Sequence, residues 1–336
     1  MIPHNKPSFG ELEKRAAARV IDSGWVAAGR EVAAFEEELA DFVGTTPDCV
    51  LVTSSGSAAL LLALLTSEGR RGTVAIPTYG CSAAADAASL AGLGISFVDS
   101  ANDSPLADWR SLDLSADTAI SVDLFGIPAD LPSGEGCRVI SDAAQSLGAT
   151  ANGVASCLRG DLGILSFSPT KIMTVGGYGG AIVSTNADWV GAARDYSDWD
   201  GRTDGARRFH FKLGDIGAGI GRVQLARLGD MVARRHEIHD QYLAAGIPLR
   251  TGGTNGLSSV YRAVAVDPSA EARVRRLRSE GVGAIEPYGA AEMVGRGIDS
   301  SPKAASWSQR LVSLPIFADM TDAESEAVIV AWERTA

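Results

Sequence analysis

With 336 residues, 46% of them hydrophobic and 21% charged, the chain has the composition of a globular protein and the length for one large or two moderate domains. A net charge of −11 argues against a nucleic-acid partner, and the basic clusters Arg207-Arg208 and Arg273 to Arg278 are short. No apolar run has the length of a membrane span, Met1 to Gly10 lacks the apolar core of a signal peptide, and Cys49, Cys81, Cys137 and Cys157 are scattered without a CxxC pair, so a cytoplasmic protein without disulfides or structural zinc is expected.

Glu31–Phe42 carries Val32, Phe35, Leu39 and Phe42 at helical spacing and predicts an amphipathic helix. Then come short apolar runs that predict strands: Val50–Thr53, Thr73–Pro77, Ile95–Val98, Thr118–Val122, Arg138–Asp142, Ile164–Phe167 and Ala181–Ser184. Most are continuously apolar, as in strands covered on both faces, and helix-period segments such as Ser57–Leu65 and Ser82–Ala91 separate several of them. The alternation predicts an α/β protein with a mostly parallel sheet. Ile220–Tyr242 reads as one long helix, with His236 and His239 on its surface. A boundary near Gly246 divides residues 1–245, a large domain with its N-terminal segment, from a small α/β domain over 246–336. The latter holds a strand at Ser259–Val266 and helices at Ala270–Glu280 and Asp322–Arg334.

Ligands of parallel sheets gather at the carboxyl ends of the strands, and four polar clusters fall at or beside such ends. Thr53 to Ser57 joins a strand to a helix through small residues, which suits either an anion on the helix N-terminus or a simple tight cap. Ser141 to Gln145 ends a strand with a carboxylate able to cap a helix, bind a metal or face a buried cation. Ser166 to Lys171 sets a lysine just beyond a strand; most lysines there are solvated. Gly176 to Gly180 leads into the next strand, as a tight turn or as backbone close to a ligand.

In order, these clusters resemble one family. Gly24-Trp25, the segment Gly29 to Glu36, then SSGSAAL, DLFGIPADL, SDAAQSLGA, GDLGILSFSPTK, GGYGGAIVST and SLPIFADMT are similar to the DegT/DnrJ/StrS aminotransferases over nearly the whole chain. The resemblance implies the fold type I architecture of pyridoxal 5′-phosphate (PLP) transferases, with a large sheet-containing domain and a smaller C-terminal one. It implies amino transfer from an amino-acid donor, glutamate or glutamine, to a keto-sugar, keto-cyclitol or related carbonyl acceptor, in a homodimer with shared active sites. Lys171 takes the Schiff-base position, where its amine shuttles a proton. Asp142 takes the position facing the pyridine nitrogen, and Gln145 the position beside the cofactor's phenolic oxygen. Ser166, Ser57 and the backbone at Gly56 and Ala58 take the phosphate positions.

Three segments depart from the family pattern. Cys81 stands where relatives carry an aromatic ring over the cofactor, so either Tyr79 takes that part or smaller atoms cover the ring. His210 stands where relatives have an asparagine that reaches the neighbouring subunit's cofactor phosphate, and Lys212 adds positive charge nearby. Gly289-Ala290-Ala291 replaces a histidine-containing loop, which leaves open whether the acceptor is nucleotide-linked. An elimination or dehydration enzyme of the same fold and a non-catalytic sensor are the alternatives. Lys171 counts against a dehydratase, whose relatives carry histidine there, and a sensor needs no such set as Lys171, Asp142, Gln145 and Ser166.

Overall fold

The computed structural model describes residues 1–336 apart from 67–71, 112–115, 134–135, 252–255, 290–292, 294–296 and 336; Ala290 and Ala291 therefore lie outside the described residues. The central sheet has seven strands: β1 (Val50–Thr53), β2 (Thr73–Pro77), β3 (Gly94–Val98), β4 (Thr118–Val122), β5 (Arg138–Asp142), β8 (Leu162–Ser166) and β9 (Gly180–Val183). Their order is β1-β9-β8-β5-β4-β2-β3. All neighbours from β8 to β3 are parallel, and β9 runs antiparallel between β8 and β1.

Alternate side chains of each strand enter different cores, as the pleat requires. Val50, Val52, Leu165, Ala181 and Val183 pack with Phe35 and Leu39 of α2 (Arg30–Val43) and Ala218 and Leu225 of α6 (Asp215–Ala226). Leu51, Ile164 and Ile182 pack against α3 (Gly56–Thr66), α4 (Ala83–Leu90) and α5 (Ala187–Ser197). Helices on both faces explain why these strands are continuously apolar. On α2 the buried stripe ends on Val43, and Phe42 points outward.

Three expectations change. The long helix at Ile220–Tyr242 is two, α6 and α7 (Leu228–Ala244), interrupted at Arg227, whose amide turns back to Gln224 O. The strand expected at Ser259–Val266 shortens to β11 (Ala263–Val266), paired with β12 (Leu311–Leu314). Residues 259–262 leave the ladder because they bond elsewhere: Ser259 N donates to Gly126 O and Arg262 N to Phe125 O, while Arg235 donates to the carbonyls of Val260 and Tyr261. His236 and His239 are not surface residues. The C-terminal segments cover this side of α7, so His236 bonds Ser258 O at 2.9 Å and His239 is buried.

Elements absent from the sequence expectation are α1 (Glu11–Asp22), α5, the hairpin β6–β7 (Thr150–Ala151, Val154–Ala155) with β10 (Gly256–Leu257) paired to β6, and α9 (Pro302–Ser308). A third core joins Ile238 and Tyr242 of α7 to Ala263 and Ala265 of β11, Val274 and Leu277 of α8 (Ala270–Ser279), Val312 and Leu314 of β12, and Val328 of α10 (Asp322–Arg334). The N-terminal segment reaches this core: Ile2 bridges Val282, His4 bonds Ser313 Oγ at 2.9 Å and Ser8 donates to Asp319 at 2.6 Å. Glu31, 3% exposed, is held by Arg19 of α1 and Arg222 of α6, tying three helices together. Among the described residues no helix is long and apolar enough to cross a membrane.

Candidate active site

Strand register lines up one edge of the sheet. Gly180 at the start of β9 faces both Thr53 at the end of β1 and Ser166 at the end of β8, and Asp142 ends β5 beside Ile164. The β1–α3 turn crosses this row at very short range. A Cβ on Gly180 would lie 2.5 Å from Gly56 N, and one on Gly56 would lie 2.9 Å from Ser166 Cβ. These two glycines therefore set the first turn of α3 directly over the strand ends, its free N–H groups at the sheet edge. Ala58 N donates to Ser55 Oγ at 3.0 Å.

Above the turn lies a cavity of about 360 Å³, lined by eight of the ten residues that sequence reasoning selected. Gly56, Ser57, Tyr79, Cys81, Asp142, Gln145, Ser166 and Lys171 line it directly. Ala58 follows Ser57 on α3 and does not line the cavity itself. His210 is the other exception: it is exposed, on the segment running past Thr53, and does not line this cavity. Lys212 pairs with Asp198 at 2.7 Å, so its charge is already matched.

The charged groups of the cavity are few. Asp142 accepts a hydrogen bond from Ala144 N at 3.1 Å. Burial raises its pKa, against that hydrogen bond and the charge of Lys171. Lys171 Nζ stands 5.0 Å from the centre of the Tyr261 ring. Burial would raise the Tyr261 phenol, but the charges of Lys171 and Arg262 and its hydrogen bonds bring it below the ordinary value. Gln145 is fixed at both ends of its amide: Oε1 accepts from Phe125 N at 2.9 Å and Nε2 donates to Tyr288 Oη at 2.8 Å. Tyr288 meets Tyr79 edge to face, ring centres 5.6 Å apart. Cys81 is the exposed thiol of the four; Cys49 and Cys157 are core residues.

Tyr261, Arg262 and Tyr288 escaped the sequence reading. Tyr261 and Arg262 lay inside a predicted strand, where an arginine amid Val260, Ala263 and Val264 was the signal available. They reach the cavity because the backbone there is pulled out of the ladder, with Val260 at φ 48° and Phe125 at φ 64°. Left-handed backbone is costly for a β-branched residue and persists where surrounding contacts enforce it.

Comparison with known proteins gives a consistent result. A dTDP-4-dehydro-2,3,6-trideoxy-D-glucose 4-aminotransferase of Saccharopolyspora spinosa is 29% identical over 270 residues, covering 72% of this chain and 70% of that protein. The crystal structure of the aminotransferase TlmJ from Streptoalloteichus hindustanus superposes with a TM-score of 0.90 at 25% identity, over 100% of this chain and 98% of that one. The PLP form of the putative sugar aminotransferase Spr1654 from Streptococcus pneumoniae shares the fold, with a TM-score of 0.87 at 21% identity, over 100% and 99% of the two chains. Residues 7–333 match the model of the DegT/DnrJ/EryC1/StrS aminotransferase family, and the chain belongs to that family of aminotransferases.

Proposed function

We propose that the cavity binds pyridoxal 5′-phosphate on Lys171 and that the enzyme transfers an amino group from an amino-acid donor, glutamate or glutamine, to a keto-sugar. The observation that carries this reading is the meeting of Lys171 and Asp142 in one cavity above a helix N-terminus. The fit to the cofactor is good at both ends. The glycine-bared turn at Gly56 leaves N–H groups and the Ser57 and Ser166 hydroxyls for a phosphate, with Ala58 N free to join once Ser55 Oγ yields. Asp142, a half-buried carboxylate that accepts a backbone hydrogen bond from Ala144, suits a protonated ring nitrogen. When bound, the cofactor supplies a ring that takes up electrons as the donor's Cα–H bond breaks.

The chain's own residues then have separable tasks. Asp142 holds the ring charge, and Gln145, clamped between Phe125 N and Tyr288, offers its remaining amide hydrogen to an oxygen in the cavity. Lys171 would hold the cofactor through its amine, and the same amine would hold and move the proton at Nζ. Tyr79, Tyr288 and Tyr261 wall the space and exclude water. The acceptor class follows from the family and from the Saccharopolyspora relative, whose substrate is a dTDP-linked keto-sugar. The division near Gly246 into a large and a small domain is supported by the separate third core, to which α7 contributes Ile238 and Tyr242.

The test is borohydride reduction of the cofactor-loaded protein followed by peptide mapping. Wild type is expected to carry the reduced cofactor on the Lys171 peptide and to lose its yellow colour with glutamate. A Lys171→Ala protein that kept a reducible adduct would overturn the assignment. A screen of keto-sugars against the aminated enzyme identifies the acceptor, and amination of none of them would overturn that class.

A further inference from the structure

Arg262 is a half-buried cation whose guanidinium is turned inward. Its Nε and Nη1 are shielded from solvent and have no hydrogen-bond partner among the described residues. Leaving buried N–H groups of a guanidinium unmade is costly, more so than for a neutral group. The side chain is nevertheless fixed: its guanidinium packs against Tyr261 at 5.4 Å and against Tyr288 at 5.8 Å from the ring centres. Its backbone is fixed too, by the left-handed turn at Val260 and by Arg235, which is fully buried and donates to Val260 O, Tyr261 O and Ile316 O. A strained and clamped turn thus holds in place a guanidinium with two unmet N–H groups.

Where it is held matters. Arg262 lines the same cavity as Lys171, and the two cations flank one ring, with Lys171 Nζ at 5.0 Å and Arg262 Cζ at 5.4 Å from the centre of Tyr261. The phosphate-binding features, Gly56, Ser57 and Ser166, belong instead to the sheet edge. An α-amino acid carries its amine and its carboxylate one carbon apart. With the amine brought to where Lys171 Nζ stands, a carboxylate is the anion expected beside Tyr261.

We propose that Arg262 is the subsite for a carboxylate of the amino donor, held by the planar fork that guanidinium presents to carboxylates. This inference rests on the proposed function, and its test separates the two. Glutarate, an unreactive dicarboxylate, is titrated calorimetrically into the cofactor-loaded wild type, Arg262→Gln and Arg262→Lys. Binding is expected to weaken by about 100-fold in R262Q and less in R262K, which keeps the charge and loses the fork. In the half-reaction followed by colour loss, the L-glutamate concentration for half-maximal rate rises by a similar factor, while the maximal rate changes far less. Glutarate binding to R262Q as tight as to wild type overturns the inference. So does a dependence on Arg262 of inorganic phosphate binding without any for glutarate, which would assign the guanidinium to a phosphoryl group. If R262Q fails to fold, R262K decides: a loss of about tenfold is expected, and none overturns. Wild type without a reducible adduct on Lys171 sinks the proposed function itself; an adduct with no Arg262 effect sinks this inference alone.

Discussion

Asp142 joins two demands on one side chain: it is half-buried at the end of β5, where desolvation acts on its carboxyl, and it accepts a backbone hydrogen bond from Ala144. Its folded pKa is raised, so its ionisation disfavours the cofactor-free fold: the associated stability is present at low pH and is lost as pH rises through the folded value. Asp142→Asn keeps the shape and removes the charge. The cofactor-free variant is expected to melt no lower than wild type at neutral pH, while its half-reaction with glutamate slows by about 100-fold or more. A variant with wild-type half-reaction rates would remove Asp142 from the chemistry. The motif residues Asp142, Gln145, Ser166 and Lys171 were legible because each lies in a short string at a strand end. Tyr261, Arg262 and Tyr288 were not, because they reach the cavity through irregular backbone 90 or more residues further along, placed by tertiary contacts (Gln145 with Tyr288 is separated by 143 positions).

Among elements, sequence pattern served where burial is one-sided or complete and failed where it is sparse. The strands of the central sheet are read from unbroken apolar runs covered by helices on both faces. Helix α1 has Ala16 and Val20 buried but Leu12 and Ile21 more than half exposed, so no apolar stripe announces it. The hairpin β6–β7 turns on Asn152 and Gly153, both at positive φ, the pairing that two-residue hairpins favour; its strands are too short to show alternation. What fixes α1 is charge. Arg19 and Arg222 hold Glu31 well below its ordinary value, at about 2. A depressed carboxylate contributes stability above pH about 4.5, and that contribution is lost as pH falls toward 2. Glu31→Gln is expected to cost about 1–2 kcal/mol at neutral pH, Arg19 being half exposed, and to flatten the acid limb of the melting-temperature profile. Parallel acid limbs in variant and wild type would show that the clamp contributes nothing.

For the whole molecule, His210 and the rings of Trp25, Tyr178 and Phe209 are exposed on the single chain, and their place in a subunit interface is a proposal to be tested. A homodimer with His210 acting on the neighbouring site makes a concrete prediction. Lys171→Ala and His210→Ala proteins, each inactive alone, regain about a quarter of wild-type activity when mixed and reassociated, because half the dimers are mixed and each has one intact site. Light scattering that finds only monomer, or mixing that restores nothing although heterodimers form, removes His210 from a shared site.

The segment from Ile2 to Ser8 also has a bearing on the order in which the molecule assembles. It reaches Val282, Ser313 and Asp319, and Asn5 donates to Thr170 O, next to Lys171. His4 and Ser313 are 309 positions apart, so this segment is synthesised long before its partners. Contacts of such separation carry the largest loop-closure cost and form after local ones. During synthesis the central sheet precedes them. The strap from Ile2 to Ser8 then closes after the sheet, beside the loop that carries the lysine.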